Sequence, residues 1–345
     1  MNRYRPLKEL FLCRMRQFYR EPEAIFWTYG FPVLMAAGLG LAFRNRPPQQ
    51  VHVGVEDGPA SAQIRAALEG LEGFEIQSAS PQRCADLLRT GQVDILAVPG
   101  EQGYEYRFDP TRPEATMARL HLDNALQKSA GRQDALPVTD KHVTEPGARY
   151  IDFLVPGLIG LNLMGGGLWG VGFITVDMRI RKLLKRLVAT PMRKSHFLMS
   201  VIGGRMVFTI PELFILIGFA WLVFKIAIVG SLLSILAVVA VGGVSFAGIG
   251  MLAASRAQKL ETISGLMNLI MLPMWLLSGV FFSSARFPDL MQPFIQALPL
   301  TQLNQALRAV MLEGASLWAV KIPLIILLAW GLVCFSLALR WFRWT

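Results

Sequence analysis

Six stretches of this sequence are long and apolar enough to cross a bilayer, and no other feature limits the fold as strongly. A hydrocarbon core about 30 Å thick needs about 20 apolar residues in helical form. The runs are Ile25 to Phe43, Ile151 to Val176, Met206 to Phe224, Ile226 to Ala254, Thr262 to Phe282 and Ile322 to Leu339. Within hydrocarbon every backbone N–H and C=O must be bonded inside its own segment, so each run is read as a helix. A chain that is 53% hydrophobic and 17% charged has the composition of a membrane protein with some water-exposed mass.

Lysine and arginine placement sets the orientation. Arg3, Arg5, Lys8, Arg14, Arg16 and Arg20 precede the first run. Arg179, Arg181, Lys182, Lys185, Arg186, Arg193 and Lys194 separate the second from the third. Arg256 and Lys259 follow the fourth, and Arg340 and Arg343 follow the sixth. The other side offers Lys225, in what reads as a tight turn, and Arg286, Arg308 and Lys321. This bias places both termini in the cytoplasm; the expected location is a bacterial inner membrane crossed several times. The net charge of +10 then reports topology and attraction to lipid headgroups, and nucleic acid is not expected as a partner. The N-terminal segment "MNRYRPLKELFLCRMRQ" reads as lacking a secretory leader, its apolar run being too broken.

Residues 44–148 differ in kind. Strand-like "VHVGVED", "FEIQSA" and "VDILAVP" alternate with helix-like "PASAQIRAALEGL" and "PQRCADLLRTG", followed by "YEYRFDP" and "PEATMARLHLDNALQKS". The expected fold is therefore an α-helical membrane protein with six transmembrane helices and an inserted small α/β external domain. Residues 1–24 form an amphipathic interfacial helix with Leu7, Leu10, Phe11, Met15, Phe18 and Tyr19 on one face. Residues 25–43 are the first span, and 149–345 hold the other five. Near residues 284–312, Pro288, Pro293 and Pro299 interrupt an apolar pattern, which reads as a re-entrant hairpin covered by protein.

The segment "RIRKLLKRLVATP", within a cytoplasmic stretch at about 178–195, carries Ile180, Leu183, Leu184, Leu187 and Val188 at one-face spacing, with Arg179, Arg181, Lys182, Lys185 and Arg186 around them. Pro191 ends the expected helix. Such a helix either lies on anionic lipid or docks on a protein. Gly166 and Gly170 in the second run have the spacing of close helix packing. Glu212, after Pro211 in the third run, costs about 2.5 to 3.5 kcal/mol at mid-membrane and must face protein or water. Signs of catalysis are missing: the sequence holds no GxxxxGK[ST] phosphate loop, HExxH, CxxC or GxSxG. His52, His121, His142 and His196 lack metal-ligand spacing, and Cys13, Cys84 and Cys334 lie far apart.

Two stretches resemble the permease subunits of type-2 ABC exporters. "RKLLKRLVATPMRKSHFLMSVIGGR" is similar to their cytosolic segment, and "LPMWLLSGVFFSSARFPDLMQPFIQALPLTQLNQALRAVML" to their fifth span and following hairpin. The order of elements resembles the branch with a large external domain after the first span. The resemblance implies a second permease subunit, identical or paralogous, and two cytosolic ATPase subunits that bind ATP and magnesium; this chain would hold no cofactor and no catalytic or metal site. Ile180, Leu183, Leu184, Lys185, Arg186, Leu187, Thr190 and Pro191 would form the coupling helix. The cargo would be a hydrophobic or amphipathic drug, lipid or lipid-linked product, with membrane lipids and an envelope protein as further contacts. Two other readings stay open at this point: an intramembrane lipid-modifying enzyme, and a membrane-anchored envelope scaffold or sensor. The topology is checked by single-cysteine labelling from outside the cell. An impermeant thiol reagent is expected to modify Gly103→Cys and to leave Lys194→Cys untouched; the reverse pattern contradicts it.

Overall fold

A computed structural model of the chain describes residues 5–44, 50–58, 61–68, 71, 73–100, 103–133, 136, 139, 149–190 and 194–343. It divides into two compact units, Asn45–Val143 and the remainder.

In the larger unit, α1 (Arg5–Tyr19) leads into α2 (Pro22–Ile25), which continues through a π-helical turn at Phe26–Gly30 into α3 (Phe31–Arg44). In the smaller unit β1 (Val51–Glu56) is followed by α4 (Ser61–Leu68), β2 (Phe74–Ala79), α5 (Pro81–Arg89), β3 (Ile95–Gly100), β4 (Gly103–Arg107) and α6 (Pro113–Ser129). The larger unit resumes with α7 (Tyr150–Gly167), a π-helical stretch at Leu168–Phe173, α8 (Ile174–Ile180) and α9 (Leu183–Val188). Four more long helices and two shorter ones complete it: α10 (Lys194–Phe224), α11 (Leu232–Ala254), α12 (Leu260–Leu277), α13 (Gln292–Ala297), α14 (Pro299–Glu313) and α15 (Lys321–Trp341). Among the described residues six helical segments are long and apolar enough to cross a membrane: Pro22–Ala42, Tyr150–Ile180, His196–Phe224, Leu232–Ala254, Leu260–Leu277 and Lys321–Trp341. This is an α-helical membrane protein with an α/β insert.

The smaller unit is a four-stranded sheet in the order β2-β1-β3-β4, parallel except for β4. Strand alternation explains its two faces. Val53, Val55, Ile95 and Ala97 pack beneath α4 and α6 with Ile64, Leu68, Leu122 and Leu126. On the other side Leu96 and Val93 meet Cys84 and Leu87 of α5. Gly54 lies between the two valines of β1 because a side chain there would run into Leu96. Tyr106 on β4 donates to Asp123 on α6 at 3.2 Å. Burial and that carboxylate push its phenol up to about 12, so it stays a neutral donor.

Several boundaries move from their expected places. The third span begins as part of α10 at Lys194 rather than near Met206, so what reads as loop is helix extended beyond the apolar run. The fourth begins at Leu232, not Ile226. The turn before it is not tight: Lys225 adopts a left-handed φ of 51° and Val229 N–H bonds Met311 C=O at 2.9 Å, so the residues up to Ser231 serve α14 instead of a helix. The fifth span stops at Leu277, where Gly279 (φ 70°) turns the chain. On α1, Phe18 packs inward but Tyr19 is exposed, contrary to the one-face reading.

The core of the larger unit joins α7, α11, α14 and α15. α14 is buried along most of its length, including Thr301, Gln302 and Asn304. Its polar groups satisfy the backbone that the chain breaks leave open. Asn304 Nδ2 donates to Ser278 C=O at 2.9 Å, and Arg308 donates to the carbonyls of Phe153 (3.2 Å) and Gly279. The guanidinium also sits 3.5 Å from the Phe153 ring centroid. Tyr150 Oη donates to Phe281 C=O at 2.7 Å. Arg149 pairs with the fully buried Asp152 at 2.8 Å and donates to Phe224 C=O at 2.9 Å, closing the end of α10.

Glycine sets how closely α11 meets its neighbours. A Cβ at Gly248 would lie 2.9 Å from Gly331 C=O on α15, and one at Gly172 would lie 2.8 Å from Gly250 C=O on α11. Gly167 likewise lies against Phe246 and Ala247. Gly218, by contrast, has open space around it. Gly248→Val is therefore expected to lower stability by about 1 to 3 kcal/mol through overpacking, whereas Gly218→Ala leaves it unchanged or slightly raised. The midpoint of detergent-induced unfolding measures both.

Candidate functional site

The basic segment between α7 and α10 forms two short helices rather than one. α8 ends at Ile180, Lys182 takes a left-handed φ of 58°, and α9 begins at Leu183. The amphipathic face expected across Ile180 to Val188 is thereby split, and its residues do not share one environment. Leu184 is 0% exposed and belongs to one buried apolar cluster with Phe197, Leu198, Val201, Met251, Ala338 and Phe342. Leu187 and Leu183 are half-buried. Ile180 and Val188, at 44% and 43% exposed, face outward with Lys185, Arg186, Ala189 and Thr190. The outward surface is thus a mixed apolar and cationic strip, while its leucines plug into the protein itself. This corrects the single-helix reading: the turn at Lys182 rotates α9 so that its leucines fall inward. Thr190 Oγ1 donates to Leu187 C=O at 2.6 Å and ends α9 before Pro191, which lies outside the described residues.

Arg179 reads in the sequence as one of the solvated basic residues around this helix, yet it is 7% exposed. Its Nε donates to Arg343 C=O (3.0 Å), its Nη1 to Ala254 C=O (2.7 Å) and Ala257 C=O, and its Nη2 to Ser255 C=O (3.2 Å). The Phe342 ring centroid lies 5.0 Å from the guanidinium carbon. Helix-spacing arguments could not find this residue, because the acceptors come from the distant ends of α11 and α15. Arg181, one step along the turn, pairs with Asp177 at 2.9 Å and stays exposed.

Beside α8 and α9 is a cavity of about 530 Å³ between α1, the first span, the second span and α10. Phe18, Phe173, Met178, Phe197 and Phe208 give it apolar walls, and Asp177, Arg181 and Arg205 line its polar parts. Phe18 stacks on Phe208 with centroids 4.0 Å apart, fixing α1 against α10. Tyr29 Oη donates to Phe208 C=O at 3.3 Å.

Arg205 also supplies the partner of Glu212. Its Nη2 donates to Glu212 Oε2 at 2.7 Å, and the carboxylate residue is 6% exposed. The seven-residue separation puts both on one face two turns apart, a signal present in the sequence once the arginine is counted as part of the helix. Gly166 makes room for this guanidinium: a side chain there would occupy its place, and Gly170 lies against the Arg205 Cδ. The GxxxG pair is a notch for an arginine, whereas the backbone approach between helices occurs one residue on, at Gly167, and at Gly172 and Gly250. Asn162 and Thr209 line a small space next to Glu212. Among the described residues no three His, Cys, Asp or Glu side chains are placed to hold a metal ion.

The larger unit is thus an apolar six-span helical unit that displays a short basic helix on its surface. Residues 22–340 match the ABC-2 family transporter proteins, and the chain belongs to that family. It is similar to ABC transporter G family member 20 of Dictyostelium discoideum, with 26% identity over 199 residues, 56% of this chain. The matched region spans 27% of that longer protein. The chain is thus a permease subunit of an ABC transporter and a multi-pass membrane protein.

The buried pair makes an energetic prediction. Glu212→Leu leaves Arg205 without its counter-charge and Arg205→Met leaves Glu212 so; each is expected to cost about 3 to 5 kcal/mol. Combining them removes both charges and is expected to recover most of the loss. A denaturation series on the four proteins measures the coupling; additive losses would mean the pair is not mutually stabilising.

Proposed function

We propose that this permease exports a hydrophobic or amphipathic molecule, a drug, lipid or lipid-linked product, using ATP hydrolysed on a separate cytosolic ATPase subunit. The observation that carries the reading is the outward strip of α9, with Val188, Lys185, Arg186, Ala189 and Thr190 exposed on a helix anchored from beneath. A helix resting on lipid would turn its leucines to the bilayer; here Leu184 is already used inside the protein, so lipid burial does not account for the segment. The sequence supplies no phosphate loop of its own. The ATPase would bind ATP and magnesium, and α1 would add a second contact.

A second permease subunit is supported by α12. Thr262, Gly265 and Asn268 are exposed along one stripe of this span, beside Leu269 and Leu272. The Asn268 side chain makes no hydrogen bond within the subunit among the described residues. A carboxamide left in lipid is costly, and interhelical contacts in membranes favour small and polar side chains. The stripe therefore suits a second permease copy or a polar cargo path. The domain at about 44–148 would lie outside an inner membrane with both termini in the cytoplasm, available to cargo or an envelope protein.

Charge reversal tests the ATPase contact. With Lys185→Glu and Arg186→Glu together, the permease is expected to reach the membrane normally and to lose at least tenfold in ATPase association, equivalent to about 1.4 kcal/mol. Undiminished association in a pull-down from solubilised membranes would remove α9 as the docking element.

A further inference from the structure

We infer that Arg179 is a positioning residue that makes α9 and the basic ends of α11 and α15 a single mechanical body. An ATPase displacing α9 would then move the fourth and sixth spans directly. This inference rests on the permease–ATPase reading above.

Three observations lead to it. First, Arg179 stands three residues before the left-handed Lys182 that starts α9, so little chain separates it from the displayed strip. Second, its acceptors are all backbone carbonyls, and they belong to two other spans: Ala254, Ser255 and Ala257 at the end of α11, and Arg343 just past α15. The last carbonyls of a helix have no partner inside it and carry partial negative charge. A guanidinium presents its N–H groups in a fixed plane and retains its charge, so it holds several carbonyls in one arrangement. Arg343 N–H adds a 3.0 Å bond to Ser255 C=O, joining the two spans to each other at the same point. Third, Phe342 lies against the guanidinium and also belongs to the pocket around Leu184. The polar clamp and the apolar plug share one side chain.

The physical difference between these two anchors decides the role. Apolar burial is non-directional, and a leucine plug alone would let α9 slide or rotate while staying buried. Hydrogen bonds to fixed carbonyls set both distance and direction. Arg179 therefore carries displacement where Leu184 only holds on. A cap that merely completed the end of α11 would not need the carbonyl of Arg343 or a place beside α9.

The test is a distance measurement on the full complex. Nitroxide labels are placed at Ala189→Cys and Arg256→Cys, both exposed, in a Cys13→Ser background, and their separation is read by pulsed electron resonance. The inference expects one narrow distribution, the same in nucleotide-free and ATP–vanadate-trapped complexes. Arg179→Met is expected to broaden it and to shift it on trapping while the ATPase remains bound and active. Arg179→Lys, which keeps charge but lacks the planar fork, should fall between. Phe342→Leu gives the same readout if the methionine variant does not fold. A narrow, unshifted distribution in Arg179→Met, or in Phe342→Leu where that variant stands in for it, overturns the inference. A shift on trapping in the unsubstituted complex overturns it as well. If no ATPase accompanies the unsubstituted chain, the permease–ATPase reading fails instead. The nucleotide-free widths of unsubstituted and Arg179→Met proteins then still decide whether the clamp exists.

Discussion

The close approach of α11 to the second and sixth spans is the constraint on which the larger unit depends. In hydrocarbon, lipid tails are as apolar as leucine, so burial alone does not hold helices together. Contact must come from tight packing and from polar groups that find each other. Glycines at 167, 172, 248, 250 and 331 let three backbones meet. α14 packs against all three of these helices, and its asparagine and arginine satisfy the carbonyls of Ser278, just past α12, and Phe153, in the first turn of α7. At the basic end the same helix, α11, presents the carbonyls that Arg179 holds. Removing the glycine contact would loosen both ends at once.

The spans were legible in the sequence because apolar runs of bilayer length have few alternatives. The β-α alternation of the insert was legible for a similar reason: Val53 and Val55 flank Gly54 as a strand between two helical layers requires. Boundaries were less so. The helix of the third span runs past its apolar part down to Lys194, since a helix that leaves the membrane obeys propensity and packing instead of hydropathy. The stretch from Ile226 looks like span by composition but spends its backbone on Met311.

At the candidate site the sequence singles out residues without showing what surrounds them. Ile180 and Leu184 would share a face on one continuous helix, yet Ile180 is exposed and Leu184 is buried, because Lys182 breaks the helix between them. Gly166 and Gly170 mark close packing, but what packs there is the Arg205 side chain. Glu212 announces itself as a charge in an apolar run, and its partner was visible seven residues earlier. Arg179 was hidden in plain sequence among its basic neighbours. Its burial depends on three chain segments that converge only in the folded unit, and no local pattern encodes that.

The outward strip of α9 has no role inside the subunit, and the proposed ATPase contact gives it one. The most direct measurement uses a photo-crosslinking phenylalanine analogue placed singly at Val188 and at Leu184 in membranes from the native host. The proposal expects a crosslink from position 188 to a protein carrying a phosphate-loop ATPase domain, and only intramolecular products from position 184. Crosslinks from position 188 confined to lipid, or to the permease itself, would contradict it.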